Sequence, residues 1–175
     1  SGFTLESLGF HGQGLELLHK SLQRTTGMIL TTGPAGSGKS TTLYTMLDIL
    51  NTPDVNISTI EDPVEYTLPG VNQLQVDPKI DWTFPKALRA MLRQDPDVMM
   101  IGEIRDDETA RIAGRASLTG DLVLTSMHAN DSAAAVGMLY NYTIPGYLIS
   151  TSVLGVISQR LVRTINPASA EEYEA

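Results

Sequence analysis

Gly33-Pro34-Ala35-Gly36-Ser37-Gly38-Lys39-Ser40 satisfies every fixed position of the pattern G-x-x-x-x-G-K-[ST]. Glycines at these intervals let the main chain curl until successive N–H groups converge on an anion. Lys39 adds a mobile positive charge for the outer phosphates, Ser40 offers a hydroxyl to Mg²⁺, and Thr41 follows in the same turn. The flanks agree with that chemistry, because Met28-Ile29-Leu30 reads as a strand and an amphipathic helix comes after the loop. A glycine-rich turn matching by chance is the bland alternative. The strand–loop–helix context favours a site for a nucleoside triphosphate.

Three other strand ends carry reactive side chains. The apolar run Val98-Met99-Met100-Ile101 closes in Gly102-Glu103, an arrangement that holds the Mg²⁺ shell or polarises an attacking water. Gly102 stands where many nucleotide hydrolases place aspartate, so the division of metal and base roles stays open. Glu61 and Asp62 end a second strand. Mg²⁺ retains several waters and takes few protein ligands, so carboxylates acting through water suit it. Asp62 before Pro63 is equally suited to capping a turn. His128, after Ser126-Met127, offers a ring N–H to a phosphate or a carboxylate, or simply packs the strand end. His11 and His19 have no metal-ligand spacing with it and read as surface residues. Arg105 lies two residues beyond Glu103 and near the expected site. Arg89 and Arg93, four apart, face away from their helix's apolar stripe, toward phosphate, a neighbouring subunit, a paired acid or solvent. Arg160 and Arg163 read as surface residues.

Hydrophobic spacing supplies the elements that must carry these groups. Leu15, Leu18 and Leu22 predict a helix over 13–24, followed by a strand over 28–32. Leu43, Met46, Leu47 and Leu50 mark a helix that Asn51-Thr52-Pro53 stops. Strands are expected over 56–60, 98–101 and 122–125, with 71–76 as an edge strand or hairpin arm. Phe84, Ala87, Leu88, Met91 and Leu92 predict a further helix. Asp106, Asp107 and Glu108 favour the start of another, which carries the small residues Ala110, Ala113, Gly114 and Ser117. Two last helices are expected over 131–142 and 146–158. Strands alternating with helices imply an α/β fold, with a mainly parallel sheet covered on both faces. Residues 1–166 read as one domain and 167–175 as an acidic, frayed tail.

The chain has 175 residues, 12 basic and 20 acidic side chains, a formal charge of −8 and no cysteine. That charge argues against broad nucleic-acid binding, which needs a basic stripe. Without cysteine there are no disulfides and no thiolate metal site, so zinc is not expected. No apolar run approaches a bilayer span and no secretory signal opens the chain, so a cytoplasmic domain is expected.

Together these segments resemble the motor ATPases of type II secretion and type IV pili, over residues 8–167. Gly33–Thr41 resembles the family's Walker A loop, and Thr59-Ile60-Glu61-Asp62-Pro63-Val64-Glu65-Tyr66 its aspartate box. Leu92-Arg93-Gln94-Asp95-Pro96-Asp97 through Gly102-Glu103-Ile104-Arg105-Asp106 resembles its Walker B region, and residues 119–131 its histidine box. Gln159-Arg160-Leu161-Val162-Arg163 matches the segment that usually follows. The resemblance implies a RecA-like P-loop domain that hydrolyses Mg²⁺-ATP within a homo-hexamer. It also implies a partner in an inner-membrane platform protein, which would hold the motor at the membrane periphery. By the family pattern, residues 33–41 bind nucleotide and Ser40 meets Mg²⁺. Glu103, Glu61 and His128 serve catalysis, with Glu61, Asp62 and Glu103 acting on the metal through water.

Asp121 stands where relatives often carry histidine, and Asn166-Pro167-Ala168-Ser169 falls where some begin a Cys-x-x-Cys zinc element. These residues also lack the N-terminal domain that contributes arginines across the nucleotide, so slow turnover is implied. An arginine finger is worth roughly 4–7 kcal/mol of barrier. Two rival readings stand beside it: a nucleic-acid-translocating or conjugation ATPase of the same fold, and, from a different class, a nucleotide-gated ring scaffold without efficient catalysis.

Overall fold

A computed structural model describes residues 2–165 and 168. Six strands form one sheet: β1 (Gly27–Thr32), β2 (Ile57–Glu61), β3 (Val71–Gln75), β4 (Val98–Ile101), β5 (Leu122–Met127) and β6 (Val153–Ser158). Their order is β3-β2-β4-β5-β1-β6, and every neighbouring pair is parallel. The helices are α1 (Gly12–Leu22), α2 (Lys39–Leu50), α3 (Phe84–Leu92), α4 (Asp107–Thr119), α5 (Ser132–Asn141) and α6 (Gly146–Ser152).

Strands β1, β2, β4 and β5 are buried from end to end, as the inner strands of a doubly covered sheet should be. Their two-residue period divides the interior into two cores. Met28, Leu30, Met99, Ile101 and Val123 face α3, α4, α5 and α6. Ile29, Val98, Met100, Leu122 and Leu124 face α1 and α2. The small residues of α4 serve close packing: a Cβ on Gly114 would lie 3.2 Å from the Leu148 side chain of α6. Asp106 and Asp131 cap α4 and α5, accepting from Thr109 N at 2.8 Å and Ala134 N at 2.7 Å.

One expected helix is corrected. The segment 146–158 is helical only to Ser152, after which it becomes β6 against the otherwise open edge of β1. Val153, Val156 and Ile157 are β-branched and Gly155 is costly inside a helix, so local preference and a vacant sheet edge act together. The 71–76 segment is an edge strand parallel to β2, which removes the hairpin alternative. The tail expected over 167–175 lies outside the described residues apart from Ala168.

Asp121 opens β5 at the end opposite His128, roughly 20 Å away along a six-residue strand. Burial pushes its carboxyl above the usual range, and Asp95 and Asp97 push it further. A carboxyl raised in the folded state favours folding at low pH and penalises it once ionised. Asp121→Asn should therefore raise the melting temperature at pH 7. The gain should vanish as the pH falls below about 4, where the carboxyl is protonated in both states. Thermal melts of the two proteins at both pH values test this.

Candidate functional site

The phosphate loop connects β1 to α2. Gly36 (φ 72°) and Gly38 (φ 87°) take the left-handed backbone that glycine allows, and Gly38 is also the N-cap of α2. Ser37 N donates to Pro34 O at 3.2 Å, closing the turn. Lys39 Nζ donates to Gly33 O and Pro34 O, both at 2.9 Å. Burial pushes its ammonium below the usual lysine value, and the Glu103 charge partly opposes the shift. Main-chain amides, the α2 N-terminus and this cation form an anion cradle.

The cradle has a buttress that sequence reasoning did not anticipate. Gln159, just beyond β6, donates from Nε2 to Ser37 O at 2.8 Å and accepts from Thr42 Oγ1 at 2.9 Å. Its backbone N donates to Thr32 O at 2.9 Å. A Cβ on Gly33 (φ 148°) would lie 2.4 Å from Gln159 O and 2.6 Å from Ser37 Oγ, so only glycine fits there. Gln159 opens the segment quoted for the family resemblance but is given no role there; it reaches the loop across 122 residues through a strand that reads as helix.

Beside the loop, a cavity of about 230 Å³ brings together Lys39, Ser40, Glu61, Asp62, Glu103 and His128. Every predicted acid and the predicted histidine therefore share one space with the phosphate loop. Glu103 directs one oxygen to Arg105. Its Oε2 is buried without a hydrogen-bond partner, 3.4 Å from His128 Nε2. That contact is an ion pair only when the imidazole is protonated. Arg105 also lies 3.6 Å from Asp62 Oδ2. Its guanidinium is pushed above the usual value, first by the hydrogen bond to Glu103.

Neighbouring strand ends hold these groups in place. Ser126 Oγ donates to Gly102 O at 2.7 Å, and Ile104 N donates to Ser126 O at 3.0 Å. Thr32 Oγ1 donates to Ala129 O at 2.8 Å and accepts from Ala129 N at 3.0 Å, which fixes the chain next to His128. A Cβ on Gly102 would come within 3.3 Å of Ile60 O and 3.5 Å of Glu61 Cα, leaving little room for an aspartate.

Glu61 is in a different condition. It is 3% exposed, and both oxygens are engaged. Tyr44 donates its hydroxyl to Oε2, while Thr59 Oγ1 (2.6 Å) and Gln73 Nε2 (3.1 Å) donate to Oε1. Burial first, and then the Glu61 hydrogen bond and charge, push the Tyr44 hydroxyl well above its usual value and keep it a donor. Glu65, quoted within the aspartate-box resemblance but given no role, also lines the cavity. Arg89 pairs with Glu108 of α4, and Arg93 donates to Arg89 O at 3.1 Å; neither lines the cavity. Arg160 donates to Asn130 O at 2.9 Å. His11 and His19 are exposed.

The residues present fit a bound Mg²⁺-nucleotide. A glycine cradle admits a backbone-bound anion, Lys39 is buried beside it, and an unpaired carboxylate oxygen of Glu103 borders the same cavity. Among the described residues, no group of three or more His, Cys, Asp or Glu side chains is arranged to hold a metal.

A family model described as "Type II/IV secretion system protein" matches residues 2–174. The chain belongs to that family. It is 53% identical over 169 residues to "Type II secretion system protein E" of Dickeya dadantii, covering 97% of this chain and 34% of that protein. To "Type II secretion system ATPase E" of Vibrio cholerae it is 53% identical over 171 residues, covering 98% and 34%. The chain thus spans about a third of the length of those relatives. The crystal structure of the pilus retraction motor PilT with bound ADP superposes with a TM-score of 0.82 at 40% identity, covering 94% of this chain and 50% of that one. The fold is that of a RecA-like P-loop domain.

Gly33→Ala should lower nucleotide affinity at least tenfold, because the added methyl displaces Ser37 or Gln159 and reshapes the loop. Calorimetric titration with a non-hydrolysable triphosphate measures this. Gly137→Ala serves as the control, since its Cβ would meet nothing within 4 Å.

Proposed function

We propose that this domain binds Mg²⁺-ATP and hydrolyses its β–γ anhydride, and that in the longer protein it works as a subunit of a hexameric motor. One observation carries the reading. The buried, unpaired Glu103 Oε2 and the Lys39–Ser40 end of the phosphate loop border a single cavity. A carboxylate whose other oxygen is held by Arg105 has a fixed aim, and its open oxygen suits it to orient a water and take up its proton. His128, 3.4 Å from that oxygen, is placed to respond to its protonation.

Residues 33–41 supply amides for the phosphates. Lys39 gains, in an anionic ligand, a stronger partner than the two neutral carbonyls it now contacts. Ser40, with Asp62 and Glu103 through water, would hold Mg²⁺, which neutralises phosphate charge when bound. On the other side of the loop a hollow of about 530 Å³ contains Phe3, Phe10, Thr41, Ile157 and Leu161. Its apolar walls suit a nucleobase.

The family and the likeness to a pilus motor support a role in moving an inner-membrane platform protein. No helix among the described residues is long and apolar enough to cross a membrane. The family supports attachment at the membrane through partners. The chain's charge of −8 weighs against a nucleic-acid substrate.

Lys39→Ala removes the charge-assisted hydrogen bonds to phosphate and should weaken nucleotide binding about ten- to a hundredfold without unfolding the domain. Titration calorimetry alongside circular dichroism checks both halves of that statement. Glu103→Gln should bind nucleotide within about threefold of the parent and lose about a hundredfold in phosphate release by the assembled protein. Undiminished turnover would remove Glu103 from the reaction.

A further inference from the structure

We infer that Gln73 is a positioning residue for hydrolysis: with Tyr44 and Glu61, its amide holds the 62–70 loop, and with it Asp62 and Glu65, at the edge of the phosphate site. The inference rests on the ATPase reading above and deepens it.

The loop is an unusual connection. Parallel neighbours are ordinarily joined through a dozen or more residues that include a helix, yet nine residues without a helix link β2 to its neighbour β3. Such a loop has few partners of its own for its backbone groups, and side chains from other elements take their place. Gln73 Oε1 accepts from Leu68 N at 2.6 Å, and Nε2 donates to Tyr66 O at 3.1 Å. Gln75 Oε1 accepts from Val64 N at 3.1 Å, and Asn51 Nδ2 donates to Pro69 O at 2.7 Å.

Gln73 links the loop to the buried carboxylate directly. The same Nε2 donates to Glu61 Oε1 at 3.1 Å and lies 3.5 Å from the Tyr44 hydroxyl. An amide presents its donor and acceptor at fixed positions, and here Leu68 N–H and Glu61 settle which end is which. A glutamate at 73 would keep the acceptor for Leu68 and lose the donor.

Tyr44 connects this assembly to phosphate binding. It stands in the second turn of α2, whose first residues are Lys39 and Ser40. Its ring stacks on Tyr66 with centroids 4.5 Å apart, and its hydroxyl accepts from Glu65 N at 3.3 Å while donating to Glu61. Glu61, with both oxygens engaged, serves as the fixed point to which Gln73 and Tyr44 are oriented. Asp62 and Glu65, the loop's two acids, line the cavity that contains Glu103.

The test uses the full-length, assembled protein. Gln73→Glu sets a carboxylate against Glu61 and should lower kcat at least tenfold, with nucleotide affinity within about threefold of the parent. Adding Glu61→Gln reverses the donor–acceptor pair and should restore at least threefold of the lost kcat, with hydrogen exchange in β1 and β5 unchanged in both variants, so that neither the loss nor the recovery follows bulk stability. Gln73→Leu should speed hydrogen exchange at the Leu68 amide without moving exchange in β1 or β5. The inference fails if Gln73→Glu leaves kcat within twofold, if affinity falls in step with kcat, or if the double variant is no faster than Gln73→Glu. It also fails if Leu68 exchange is unchanged. If the parent neither binds nor hydrolyses nucleotide, the ATPase reading falls and takes this role with it. The exchange experiment would then still report, separately, whether Gln73 holds the loop.

Discussion

A wholly parallel sheet sets the carboxyl ends of its strands along one edge, and the candidate chemistry of this protein depends on that alignment. β1 delivers the phosphate loop, β2 ends in Glu61, β4 runs into Gly102-Glu103, and β5 into His128. Strands β2, β4, β5 and β1 are consecutive in the sheet, so neighbouring ends lie roughly 5 Å apart in the hydrogen-bonding direction. A cavity of about 230 Å³ can therefore collect groups drawn from residues 39 to 128. Burial of both sheet faces leaves the chain little freedom to move those ends apart.

Within that edge, two glutamates illustrate how burial selects a role. An ionised carboxylate taken out of water needs donors or a cation, and the cost of leaving it unmatched is several kcal/mol. Glu61 meets that requirement with Tyr44, Thr59 and Gln73. Glu103 meets it on one side only, through Arg105, and keeps one oxygen unpaired beside His128. A saturated carboxylate suits the holding of structure, and a half-satisfied one suits chemistry. Glu61 is the last residue of β2 and Glu103 lies two beyond β4, so the two acids meet the same cavity from different surroundings.

Glutamine side chains join the pieces. Gln159 pins the phosphate loop to the end of β6, and Gln73 pins the acidic loop to β3. Both sit at the outer strands of the sheet, so the site is clamped from its two margins. Each uses one amide to satisfy backbone groups that no regular element serves, which is where such groups must otherwise find water. Both clamps form entirely within this chain, which spans about a third of the length of the relatives it matches.

The phosphate loop, the apolar strands ending in acids and the alternating order of elements were legible in the residues alone, because each rests on local chemistry. Gly36 and Gly38 are required by backbone conformation, and the buried runs by the sheet that covers them. That reading named Lys39, Ser40, Glu61, Asp62, Glu103 and His128, and the fold puts all six in one cavity. Residues 153–158 misled it: their β-branched side chains and Gly155 lean toward a strand, but the free edge of β1 that decides the matter lies outside any local window. The partners of Glu61, the open oxygen of Glu103 and the two clamping glutamines belong to the tertiary structure. Hydrogen bonds between residues 12 to 122 positions apart depend on which strands become neighbours, and strand order is settled by packing the whole sheet.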